Sequence, residues 1–189
     1  MEPFWTSVRE TTLQQGDLLP GCWIPEYPAD FAEQTDETRI IQADQADLIV
    51  ITQTCDLEHG KVSLIALCPV WSIAAFEEAQ ASQGRGKAGK AWQDYWNNVR
   101  KGRSPTLHLL ASPTAPTFAR AALLVDFRAI YSLPFGYLSR HASQLDDRWR
   151  LRSPFLEHFS QAFARSFMRV GLPSSVPGIL TARRCGSRT

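Results

Sequence analysis

Cys55, Asp56 and His59 fall within five residues of one another in the stretch ITQTCDLEHG, residues 51–60. A thiol, a carboxylate and an imidazole are the groups of a cysteine nucleophile with its base and orienting acid. His59 is the nearest base in sequence, and His108, His141 and His158 are the others that folding could bring near. The charge of Asp56 beside the thiol works against a thiolate unless the carboxylate faces away or orients a histidine. The same residues also suit a plain polar turn, with Cys55 as a small strand-end residue and Asp56 as a turn acceptor.

A second group of chemistry-bearing residues occupies 84–103. Arg85, Lys87, Lys90, Arg100, Lys101 and Arg103 stand there against Asp94 alone, a local charge of +5 in a chain whose total is +1. Trp92 and Trp96 are four residues apart on one helix face, with Tyr95 beside them. Cations for phosphates and aromatic rings for bases are what a single-stranded nucleic acid site requires. The candidate contacts are Lys87, Lys90, Trp92, Trp96, Arg100, Lys101 and Arg103. The alternative is that both tryptophans pack the helix onto the rest of the domain while the charges are solvated.

Cys22, Cys55, His59 and Cys68 are the residues from which a metal site could be assembled, but they lack the short repeated spacing of structural zinc. No metal and no cofactor is expected. P-loop, GxSxG, HExxH and GxGxxG patterns are absent.

The elements that must position these residues alternate in type. Residues 1–15 read as a short capped helix or lead-in, and QGDLLPGCWIP (15–25) as a first strand broken by turns. The acidic stretch 26–39 reads as an exposed excursion before RIIQA, a short strand. DLIVIT (47–52) and VSLIALC (62–68) are continuously apolar and rich in β-branched residues, so they predict two buried strands joined as an antiparallel hairpin. Alternation through the first would put Cys55 on the face of Ile49 and Ile51, shielded, and Asp56 with the threonines, bonded to backbone or hydroxyl groups. Helical composition follows at 72–83 and 87–102, with GRG between as a breaker, and strand character returns at 106–112 and 118–134. Ser153-Pro154 predicts a helix start, Gly171 its end, and Leu156, Phe159, Phe163, Phe167 and Val170 form one apolar stripe between them.

The chain has 189 residues, 44% of them apolar, enough for one domain with a substantial core. No apolar run reaches membrane-span length, the N-terminus lacks the apolar segment of a signal peptide, and the four cysteines form no CxxC pair. A cytoplasmic protein with reduced thiols is expected. The expected class is α+β: a small β-barrel over residues 1–173, with a helical insertion at 72–102 and a C-terminal helix at 154–170. Residues 174–189 form a basic tail, expected to be flexible.

Gly16-Asp17, DLIVITQTCDLEHGKVSLIALCPVWS (47–72) and LLVDFRAIYSLP (123–134) together resemble the PemK/MazF toxin family. The resemblance covers about half the chain and implies an SH3-like barrel of a type that cleaves RNA. Two departures stand out. Ala46-Asp47 occupies the place of the family's Arg-Pro pair, and Val70-Trp71 the region of its hydroxyl residue, with Ser72 the nearest hydroxyl. An aspartate repels the phosphorane charge that an arginine would stabilise, so the usual ribonuclease residues are missing.

The leading expectation is therefore a toxin-like or defence-associated barrel module, of bacterial type, that contacts RNA or DNA without those residues. Two alternatives are a cysteine-centred enzyme using Cys55, a histidine and Asp56, and a protein-interaction module whose insertion binds a partner encoded nearby. No membrane partner is expected.

Overall fold

The computed structural model describes residues 4–33, 40–82, 90–113 and 122–168. In chain order its elements are β1 (Trp5–Val8), β2 (Asp17–Glu26), β3 (Gln42–Val50), α1 (Thr54–Glu58), β4 (Leu64–Ser72), α2 (Ile73–Ser82), α3 (Lys90–Arg100), β5 (Leu107–Ala111), β6 (Ala122–Asp126), β7 (Tyr131–Pro134), α4 (Phe135–Ser143), β8 (Arg148–Leu151) and α5 (Phe155–Phe167). The class is α+β. Among the described residues, eight strands pair only in antiparallel fashion, in the order β1-β8-β2-β3-β4-β6-β5, with β7 alongside β4.

Continuous apolarity in β3 and β4 has a simple cause: both faces of the sheet are covered. Ile49, Ile51, Cys68 and Val70 face one buried cluster, which Leu18, Leu110, Leu123, Val125 and Phe159 of α5 complete. Leu48, Val50, Ile65 and Leu67 face a second cluster, capped by Leu138 and Ala142 of α4. A third cluster seats the inserted helices, with Phe76, Trp96 and Val99 against Leu107 and Leu124. Over 48–50 of β3 and 65–70 of β4 each strand thus alternates between two apolar environments instead of between core and water, while 42–45 of β3 are exposed.

β2 carries a register shift between Leu19 and Cys22, at Pro20-Gly21, and β4 serves β3, β6 and β7 in turn. Among the described residues no backbone ladder joins the edge strands β1 and β5. The Trp5 indole Nε1 nevertheless donates to the Ala111 carbonyl at 2.6 Å, bridging the two edges.

The predicted hairpin, insertion helices and C-terminal helix are all present, with shifted bounds. Val50 ends β3, and RIIQA is no separate strand, because β3 runs unbroken from Gln42. Residues 1–15 contain β1 where a helix or lead-in was expected. WTSV is β-prone, but its partner, RWRL of β8, lies more than 130 residues away. Neither β8 nor α4 was anticipated. The start of α5 also differs: Pro154 itself takes the N-cap place, and the Leu156 N–H finds the Arg152 carbonyl at 2.9 Å. Val170, Gly171 and residues 174–189 lie outside the described residues.

Candidate nucleic-acid interface

The opening motif proves to be a clasp. After Val50 the chain leaves the strand and enters α1, so the alternation that would have buried Cys55 does not continue to position 55. Cys55 is exposed, contrary to the expectation of a shielded thiol. Its Sγ lies 3.7 Å from Gln53 Oε1 and 3.9 Å from Asp56 Oδ1, and among the described residues no histidine reaches it. Asp56 is not bonded to backbone or hydroxyl groups as expected; its carboxylate faces Lys61 Nζ at 3.7 Å. His59 is exposed and ends α1 through its backbone N–H. The threonines do the fastening. Thr52 Oγ1 accepts the Ala66 N–H at 2.8 Å, and Thr54 Oγ1 accepts the Gln15 N–H at 3.1 Å.

The metal donors are likewise kept apart. Cys22 and Cys68 are buried in different clusters, and burial, with lesser help from Asp47 and Asp126 respectively, pushes each thiol up to about 12. Among the described residues no group of three His, Cys, Asp or Glu is arranged for a metal ion.

Two of the other histidines have distinct fates. His141 on α4 bonds the Pro20 carbonyl at 2.8 Å and helps hold the β2 bulge. His108 lies on β5, between residues that pack on the insertion, and turns to the opposite face. There it stacks on Phe127 with centroids 6.1 Å apart and lies 5.9 Å from the Phe159 ring. His158, Ala162 and Arg165 follow one another at i, i+4 and i+7 along α5, so they share a helix face. That face, His108 and the loop after α3 enclose a cleft of about 310 Å³.

Among the described residues, all the titratable side chains lining this cleft are basic: Arg103, His108, His158 and Arg165. Burial first, then the charges of Arg165 and His158, push the His108 imidazole down to about 4. At neutral pH His108 is therefore an uncharged ring that can accept a hydrogen bond, while the arginines supply a positive field. Such a site suits a phosphate or another anion.

Of the residues predicted to contact nucleic acid, Arg103 lines the cleft, and Lys90, Arg100 and Lys101 are exposed on α3 and just beyond it. Lys87 lies outside the described residues. Trp92 is half-buried and stacks on Tyr95, with centroids 5.4 Å apart. Trp96 is only 7% exposed and meets Phe76 edge-on, so it anchors the insertion to the sheet. His108, His158 and Arg165 were not grouped by sequence reasoning. Fifty residues separate the histidines, and the only local signal was the polar face of the last helix.

The positions singled out by the family resemblance converge on a different cleft. Asp47 and Ser72 both line a cavity of about 310 Å³ that also holds Glu26, Asp44, Trp71 and Tyr131. Among the described residues, no basic residue lines it. Its carboxylates would repel a phosphate.

No family model, no curated protein and no solved structure matches this chain. Among the described residues no helix is long and apolar enough to cross a membrane.

Proposed function

We propose that the chain is a nucleic-acid-contacting module in which a backbone phosphate enters the cleft between the loop after α3 and the outer face of α5. The observation that carries this reading is the composition of that cleft, which among the described residues has two arginines and two histidines and no carboxylate. Lys90, Arg100 and Lys101 extend the same charge along the insertion. The stacked, half-buried Trp92–Tyr95 pair offers ring surface for an unpaired base, which favours a single strand over a duplex.

The same proposal includes an SH3-like barrel of toxin-like or defence-associated type. Support for the barrel comes from the sharing of β4 among three strands and from the Trp5–Ala111 bridge. The toxin-like part rests on the family resemblance. A thiol enzyme is disfavoured because, among the described residues, no histidine side chain hydrogen-bonds Cys55 Sγ, whose partners are Gln53 and Asp56.

The test is fluorescence anisotropy of short labelled single strands of RNA and DNA over a salt series. Affinity should fall with a log–log slope of about −0.7 per phosphate contacted, so about −2 to −3 for three or four contacts. Arg103→Glu with Arg165→Glu should weaken binding at least about tenfold, while Arg9→Glu, at an exposed site paired with Asp147, should change little. Salt-insensitive binding, or full affinity in the double variant, would remove this reading.

A further inference from the structure

The acidic cleft lies where β3 and β4 part company. Their pairing runs from Val50 and Leu67 to Leu48 and Pro69, and there it stops. Pro69 has no N–H to donate, and beyond it Val70, Trp71 and Ser72 pair with β6 instead. β3, however, continues back to Gln42, held by β2 on its other side. Among the described residues, the edge of β3 over residues 42–47 that faces this cleft has no strand partner. An open strand edge offers backbone donors and acceptors at alternate residues, of which the Gln45 N–H is already held by Asp44 Oδ1 at 2.8 Å and would have to be released by an added strand.

Among the described residues, the charge lining the cleft at this edge has one sign. Glu26, Asp44 and Asp47 line the cleft, and among the described residues Glu26 and Asp44 form no salt bridge. Asp47 Oδ1 accepts the Gly21 N–H at 3.0 Å and is held in place. Tyr131 supplies an aromatic wall. Its phenol is held above its ordinary value by burial first and then by the charges of Glu26, Asp44 and Asp126.

We propose that this cleft binds an extended, lysine- or arginine-bearing peptide segment of a partner protein, which adds as a strand to the free edge of β3. The open edge provides the backbone hydrogen bonds, Glu26 and Asp44 receive the cationic side chains, and Tyr131 receives a stem or guanidinium. A second copy of this chain is a poorer occupant, because pairing β3 with itself would bring like-charged edges together. A small polyamine would satisfy the carboxylates and leave the strand edge unused.

A fluorescein-labelled peptide of alternating lysine and valine serves as the probe. It should bind in anisotropy and slow hydrogen exchange at the amides of residues 43–47. Its glutamate-for-lysine counterpart should not bind. N-methylation at alternate amides should cost at least about tenfold, because it removes strand pairing but not charge. Glu26→Gln with Asp44→Asn, both exposed positions, should cost a similar factor while leaving oligonucleotide affinity within about twofold. No binding by the lysine peptide, equal binding by the N-methylated peptide, full affinity in the double variant, or displacement by spermidine at matched charge would each overturn the proposal.

Discussion

Asp17, with no exposed surface, grips Arg150 through both carboxylate oxygens, Oδ1 to Nε at 2.5 Å and Oδ2 to Nη2 at 3.1 Å. Oδ2 also accepts the Gln14 N–H at 2.9 Å and lies 3.4 Å from Arg148 Nη2. Glu10 adds a partner for Arg150, and the Thr12 carbonyl accepts from both arginines. This network joins β2 to β8 and ties both to the loop that precedes β2. Asp17→Asn would leave two arginines buried without their shared anion. It should lower stability by about 3–5 kcal/mol, read from urea unfolding. A loss under about 1 kcal/mol would mean that the arginines find other partners.

Gly16 has φ +84°, and an added Cβ would sit 2.9 Å from Leu156 Cδ1 and 3.1 Å from Leu151 Cβ. Its N–H meets the Val50 carbonyl and its carbonyl the Leu151 N–H, so three elements converge there. Gly16→Ala should cost more than about 1 kcal/mol, whereas Gly21→Ala, also at positive φ but in open space, carries only the backbone penalty. Thermal melts of the pair measure the difference.

Trp5→Phe keeps an aromatic ring, though a smaller one, and removes the indole donor that, among the described residues, links the two edge strands. The Ala111 carbonyl then loses its 2.6 Å bond, and stability should fall by about 1 kcal/mol. Faster hydrogen exchange in β1 and β5 than in β3 would locate the loosening at the edges.

His108 makes stability depend on pH in a defined window. Its folded value, about 4, lies below the ordinary 6.5, so the unfolded chain takes up a proton first. The associated stability is fully present above pH 6.5 and is lost as pH falls through about 4, on the order of 3 kcal/mol in all. His108→Gln should flatten that part of the stability–pH curve. An unchanged slope would show that the ring is hydrated in solution.

Phosphate in the basic cleft would bring negative charge beside this ring and favour its protonated form. The His108 titration, followed by NMR, should therefore move upward when a single-stranded oligonucleotide is bound. No movement at saturating oligonucleotide would locate the binding elsewhere.

Cys55 should react quickly with a thiol reagent in the folded protein, and Cys22 and Cys68 only on unfolding, in a Cys185→Ser background. Cys55→Ser should leave oligonucleotide binding intact and stability within about 0.5 kcal/mol. Loss of a biochemical activity in that variant would restore the thiol as a reacting group.

The elements legible in the sequence were those whose signal is local. DLIV and LIALC read as buried strands because both of their faces are apolar, and the last helix read clearly because its stripe repeats every three or four residues. Gly16-Asp17 stood out as a pair, although its role depends on two arginines more than 130 positions away. Position 55 turned on a single fact that alternation does not contain, that β3 ends at Val50. The short strands β1 and β8 were invisible because four residues carry little propensity and their stability comes from pairing, β1 with β8 and β8 also with β2. The basic charge of the insertion could be counted from residues alone. That Trp96 is buried while Arg103 meets His108, His158 and Arg165 was decided by tertiary structure. Helix packing assigns one face of α3 to the core, and the turn beyond it brings distant cations to one cleft.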